Sequence, residues 1–164
     1  MTMKNIRKTI TYDHLIAMKP CYTPESIGIN EGFEMNIPDF IREFKDKVKS
    51  KKDIIWYLCR KQYMSDKDIR LFAVWCAREA LKLIENPDTR SINACNIAER
   101  YAKGEATDEE LRDAKDAAYS AWNATTAYAT AYTAAYITTT TTVMAPATYV
   151  NRDAQIEQLL TYFN

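Results

Sequence analysis

"TDEELRDAKDAAYSAWNATTAYATAYTAAYI", Thr107–Ile137, is the stretch from which the fold is read. Thr107 and Glu110 stand three apart ahead of an apolar pattern. In that arrangement a hydroxyl takes the third helical amide and the carboxylate reaches back to the capping residue's own amide. From Leu111 onward, small residues recur at Ala114, Ala117, Ala118, Ala121, Ala124 and Ala131, and Tyr128, Tyr132 and Tyr136 recur every four residues. This is helical spacing rather than strand alternation. Unbroken from Asp108 to Ile137, the helix would be about 45 Å long at ~1.5 Å per residue.

No charged residue occurs between Tyr119 and Val143. A helix without a charged face is expected to be covered on several sides, so the sequence predicts an all-α fold, a compact multi-helix bundle with this element as its spine. A membrane span is not expected, because hydroxyls are numerous and large aliphatics scarce, whereas spanning takes ~20 predominantly apolar residues. The β-branched run Thr138–Thr142 disfavours further helix. A loop, an extended segment or a frayed last turn is expected there, ending by Pro146.

Working outward, helices of three- and four-residue period precede the spine. One starts near Pro38 with Ile37, Phe40, Ile41, Phe44 and Val48 inward. "KDIIWYLCRKQY" follows, with Ile54, Ile55, Leu58 and Cys59 inward, and Trp56 and Tyr57 shared between core and surface. Ser65 caps a third helix that carries Ile69, Phe72, Ala73, Cys76, Ala80, Leu83 and Ile84 and is stopped by "NPD". A fourth covers roughly Arg90 to Lys103, with Gly104 at its C-terminal end and Ser91, Ala94, Cys95, Ala98, Tyr101 and Ala102 as a small-residue face. The short turn to Thr107 predicts that this helix and the next are antiparallel neighbours. The last helix, "RDAQIEQLLTYF", returns Ile156, Leu159, Leu160 and Phe163 to the core. Residues 1–36 show no clear period and read as a loop-rich lead-in, in which "ITYDHL" fits either a short strand or a helix start. At 164 residues, one domain is the expectation.

The 22 basic and 22 acidic residues cancel, so the whole chain offers no general attraction for a polyanion. Locally, Arg42–Lys61 holds eight basic residues against three acids. Its clustered cations, Arg42, Lys45, Lys47, Lys49, Lys51 and Lys52, form a basic patch of the kind that phosphate neutralisation needs. An ordinary solvated helix surface has the same composition. Cys21, Cys59, Cys76 and Cys95 lack a CxxC spacing and read as buried thiols of a reducing compartment. The opening residues carry no sustained apolar stretch, so no signal peptide is indicated and a cytoplasmic protein is expected. With His14 as the sole histidine, no His-based metal cluster can be built around more than one imidazole. No catalytic set, metal site or cofactor is indicated. The carboxylates Glu109, Asp113 and Asp116 read as a solvent-facing helix surface.

Two further groups are candidates for binding. Trp56, Tyr57, Arg60, Lys61 and Tyr63 make an aromatic, arginine-containing edge at the end of the second helix. Exposed, these side chains would serve as anchors for a protein partner, because aromatic and arginine residues dominate interface energetics. The ladder Tyr128, Tyr132 and Tyr136 suits core packing, a docking surface for a partner or a second copy, or a stacking platform for bases.

"DIRLFAVWCAREAL" and "DTRSINACNIAERYAKGEATDEELRDAKDAAYSAW", followed by an Ala/Tyr-rich helix, resemble the immunity-protein-5-like family of phages and bacteria over roughly residues 66–137. Trp75 and Arg78, Ala98–Gly104 and Thr107–Leu111 carry the likeness, and they are mainly packing and capping residues. The resemblance implies a non-catalytic protein of the bacterial cytoplasm that neutralises a partner protein, such as a toxin or a host defence component. The alternatives are a nucleic-acid-binding module using the basic segment, and a protein that sequesters a nucleotide signal between helices.

Overall fold

The computed structural model describes residues 6–20, 22–124 and 151–164. The helical class is borne out: the described residues form seven α-helices and a single two-stranded sheet. They group into two compact units, one built from the chain up to Met64 together with Arg152–Asn164, the other within Ser65–Asn151.

The first unit begins with β1 (Thr9–Thr11), antiparallel to β2 (Glu34–Asn36), with Ile10 opposite Met35. The lead-in is therefore more regular than its lack of period suggests. Between the strands come α1 (Tyr12–Met18) and a 3₁₀ turn at Pro24–Ile27. "ITYDHL" is both strand and helix. The changeover falls at Thr11, whose hydroxyl accepts the His14 amide at 3.2 Å while His14 Nδ1 accepts the Thr11 amide at 3.3 Å. This is a capping box in which an imidazole stands where glutamate or glutamine is usual.

Helix α2 (Ile37–Phe44) starts at Asn36, whose side chain accepts the Asp39 amide at 3.0 Å, and Pro38 occupies the first turn, where an N–H is not needed. Its buried positions, Ile37, Phe40, Ile41 and Phe44, step by three and four. Helix α3 (Lys51–Leu58) is capped by Ser50 and buries Ile54, Ile55 and Leu58. The carboxyl-terminal α7 (Arg152–Leu160) packs against α3 and α2 and buries Ile156, Leu159 and Leu160. Phe163 lies beyond the helix and is half-buried. Gln155 is also buried there, and its carbonyl accepts from Arg152 at 2.6 Å, which satisfies an otherwise costly polar group.

In the second unit, α5 (Thr89–Lys103) packs against both α4 (Asp66–Leu81) and α6 (Asp108–Ala124). Alanines occupy the meeting faces: Ala73, Ala77 and Ala80 on α4, Ala94 and Ala98 on α5, and Ala114 and Ala118 on α6 are all buried. The expected box between Thr107 and Glu110 is present at 3.1 and 2.7 Å. One expectation fails at the end of α4. Leu83 and Ile84 do not extend its inner face: the helix stops at Leu81, and bonds from Leu83 to Ala80 and from Ile84 to Leu81 tighten the chain into a turn. Leu83 is left 68% exposed and Ile84 half-buried. The continuation of α6 to Ile137, the tyrosine ladder and the threonine run lie outside the described residues. Among the described residues, no helix is long and apolar enough to cross a membrane.

Gly104 ends α5 at φ 79°, its amide donating to the carbonyls of Arg100 and Tyr101. An added Cβ there would meet nothing within 4 Å, so the cost of a side chain is backbone strain alone. Gly104→Ala is expected to lose about 1–2 kcal/mol in denaturant unfolding, and Gly104→Asn less, because asparagine tolerates the left-handed region better.

Candidate partner-binding surface

The proposed anchors around α3 divide between core and surface. Tyr57 and Tyr63 are not exposed anchors: they are 4% and 2% accessible. Tyr57 lies on the inner side of α3, with its ring 6.4 Å from Phe40 and 5.1 Å from Tyr63. The chain turns after Leu58 and brings Tyr63 back over the helix, and their hydroxyls meet at 2.6 Å. Sequence pattern missed this because Tyr63 belongs to a turn with no helical period. Burial, with the bond from Tyr63 adding to it, pushes the Tyr57 phenol above its ordinary pKa.

Trp56, Arg60 and Lys61 remain toward solvent. Trp56 and Arg60 are half-buried and Lys61 is exposed. Arg60 follows the helix, its amide donating to the Leu58 carbonyl at 2.7 Å, and its guanidinium carbon sits 4.0 Å from the centre of the Trp56 ring. Such cation–π stacking contributes about 0.5–1 kcal/mol at an exposed site. Arg60 Nε is buried without a hydrogen-bond partner. Among the described residues no carboxylate pairs with this guanidinium, and its Nη1 and Nη2 nitrogens are not among the buried unpartnered atoms. The Nη edge is therefore the part of the fork open to solvent.

The basic patch is largely neutralised from within. Arg42 pairs with Asp39 at 3.1 Å, Lys47 with Glu43 at 3.0 Å and Lys45 with Glu157 at 3.5 Å. Lys51 bridges Asp46, at 3.1 Å, and Asp153. Its hydrogen bond holds the Asp153 carboxyl below the usual carboxylate range. Two of these partners, Glu157 and Asp153, come from α7, about a hundred residues downstream and out of reach of local composition, whereas Asp39, Glu43 and Asp46 lie within five residues of their cations. Lys49 and Lys52 are exposed and have no carboxylate partner among the described residues. Four of the six cations therefore have internal partners.

Elsewhere, charged residues serve packing. Arg78 reaches Glu99 at 2.6 Å and Asn96 at 3.0 Å, and Lys103 shares the Glu99 carboxylate at 2.6 Å. Those two cations, Lys103 foremost, hold Glu99 below its ordinary pKa. Arg70 lies 4.8 Å over the Tyr101 ring, whose hydroxyl donates to Asp108 at 2.6 Å. Together these contacts stitch α4, α5 and α6. Glu109 and Asp113 each lie 3.9 Å from Arg112 on the exposed side of α6, and Asp116 is exposed as well. Among the described residues, no three His, Cys, Asp or Glu side chains form a group able to hold a metal.

Tyr57→Phe or Tyr63→Phe should each destabilise by about 1–3 kcal/mol, because the remaining hydroxyl is left buried without its partner. The double variant should lose less than the sum in a double-mutant cycle. Cys59, Cys76 and Cys95 are buried, and burial pushes the Cys95 thiol up to about 11. In a Cys21→Ser background, these three should stay unlabelled by a thiol reagent at pH 8 and react only in denaturant. Labelling of the native chain at free-cysteine rates would contradict the burial. Comparison of the chain with protein-family models, with curated proteins and with solved structures gives no match.

Proposed function

We propose that the chain is a non-catalytic binding protein of the bacterial cytoplasm, encoded by a phage or a bacterium, that neutralises a protein partner such as a toxin or a defence component. The observation that carries this reading is the Arg60 guanidinium stacked on Trp56, with an open Nη edge and no internal carboxylate. An arginine stacked on an aromatic ring is the kind of group that concentrates binding energy at an interface. It stands in a segment where most cations have already been paired internally, which weakens the nucleic-acid reading, since affinity for phosphates depends on how many are neutralised. The resemblance over residues 66–137 supports the class, immunity or inhibition, and bears on no catalytic residue.

The test is affinity capture from bacterial lysate with the tagged chain, with and without nuclease, followed by mass spectrometry of proteins and small molecules. A stoichiometric protein that survives nuclease and is lost with Trp56→Ala or Arg60→Ala is expected. Material that disappears with nuclease, or a retained nucleotide with no protein, would replace this reading by nucleic-acid binding or sequestration.

A further inference from the structure

We infer that the surface centred on Trp56 and Arg60 recognises an acidic segment of its partner, with a carboxylate held end-on by the Arg60 Nη edge and further acids facing Lys52 and Lys49. The inference rests on the binding-protein reading above and supplies the chemistry of the partner.

The argument starts from spacing. Lys52 and Trp56 are four residues apart on α3 and so share one face of the helix. The turn after Leu58 then folds Arg60 back over the Trp56 ring at 4.0 Å. Lys49 precedes the Ser50 cap at the other end of the same short helix. Three cations thus bracket the indole in sequence, Lys49 and Lys52 before it and Arg60 after it, about a helix of eight residues, which is about 12 Å at ~1.5 Å per residue.

Pairing then separates these three from their neighbours. Arg42, Lys45, Lys47 and Lys51 each have a carboxylate within the unit. Lys49, Lys52 and Arg60 have none among the described residues. Their charge is uncompensated and must be met from outside or by solvent.

Geometry also selects the anion. With Nε buried, a side-on contact through Nε and one Nη is closed, and the two Nη groups remain for an end-on fork with the two oxygens of a carboxylate. The stacked ring fixes the plane of the fork, so little side-chain freedom is lost on binding. A polynucleotide fits less well. Three cations neutralise too few phosphates for appreciable affinity at physiological salt, and the Trp56 face on which a base would stack is already covered by Arg60. An acidic peptide strand of three or four residues spans that length.

The probe is a Gly/Ser-flanked hexaglutamate peptide, with its hexaglutamine counterpart and a ten-residue oligothymidylate as controls. Binding is followed on the folded chain through the indole N–H resonance of Trp56 and the Nε–H resonance of Arg60. Hexaglutamate should shift both, hexaglutamine neither, and the shifts should weaken as salt rises from 50 to 300 mM. Arg60→Ala should cut the affinity at least tenfold. Arg60→Lys should fall between, because it keeps the charge and loses the fork. Lys52→Ala should cost a few-fold, and an unchanged far-ultraviolet circular dichroism spectrum shows that each variant is folded.

Equal shifts with hexaglutamine, a response to oligothymidylate alone, or an Arg60→Ala variant that binds hexaglutamate as the parent does would overturn the inference. If hexaglutamate leaves both resonances unmoved while Arg60→Ala still abolishes capture of a protein from lysate, the acidic-partner inference fails and the binding-protein reading stands. If the peptide binds at Arg60 but no protein is captured, the reading fails while the anion preference stands.

Discussion

The side-chain cap at a helix start is the interaction on which the rest of this structure depends. Short helices do not persist in water on propensity alone, because the first turn costs more order than one bond returns. Here α1, α2 and α3 have seven or eight residues each. Thr11, Asn36, Ser50, Ser65, Asp88 and Thr107 each take an amide of the turn that follows, and so set the residue at which each of the first six helices begins. Once a start is fixed, the apolar positions of that helix face one way and burial can act on them. A cap moved by one residue would rotate every later side chain by about 100° at 3.6 residues per turn, turning Phe40 or Ile54 out of the core.

Charge is organised under the same economy. Lys45 and Lys51 lie on the α2–α3 segment, and their partners Glu157 and Asp153 lie on α7, so the pairs accompany the burial of Ile156, Leu159 and Leu160. Each pair is exposed and weak singly. Together they align a helix whose apolar contacts supply most of its attachment. The internal pairing also narrows what the surface offers a partner, leaving cations without an internal carboxylate beside Trp56 in place of a broad basic face.

Much of this organisation was legible in the sequence. The start of α4 at Ser65, the box at Thr107 and Glu110, the glycine at 104 and the inward faces of α2, α5 and α7 all rest on neighbours within four residues, and local pattern reports such neighbours well. What escaped it depends on distant chain. The sheet pairs residues some 25 apart, from Thr11 to Glu34 through Thr9 to Asn36. Pairing of Lys45 waits for Glu157, and the burial of Tyr63 follows a turn rather than a period. The box at Thr11 was missed for a different reason, since its second member is His14, a residue not usually read as a cap. Of the site, Trp56, Arg60 and Lys61 were found where expected toward solvent, while Tyr57 and Tyr63 were lost to the core, because helical spacing marks Tyr57 only as intermediate and says nothing of Tyr63.

The first unit is discontinuous: α1, α2 and α3 are made before the chain that supplies α4, α5 and α6, and α7, which lies against α2 and α3, is made after it. A ribosome emits residues in order, and folding units tend to form as they emerge. The apolar faces of α2 and α3 that α7 will cover must therefore wait uncovered while roughly ninety further residues are added, and at ~5–20 residues per second that wait is several seconds or more. The α4–α6 unit, drawn from one uninterrupted stretch, has no such dependence. The order of assembly is thus written into the connectivity, with α4, α5 and α6 free to settle before α7 meets α2 and α3.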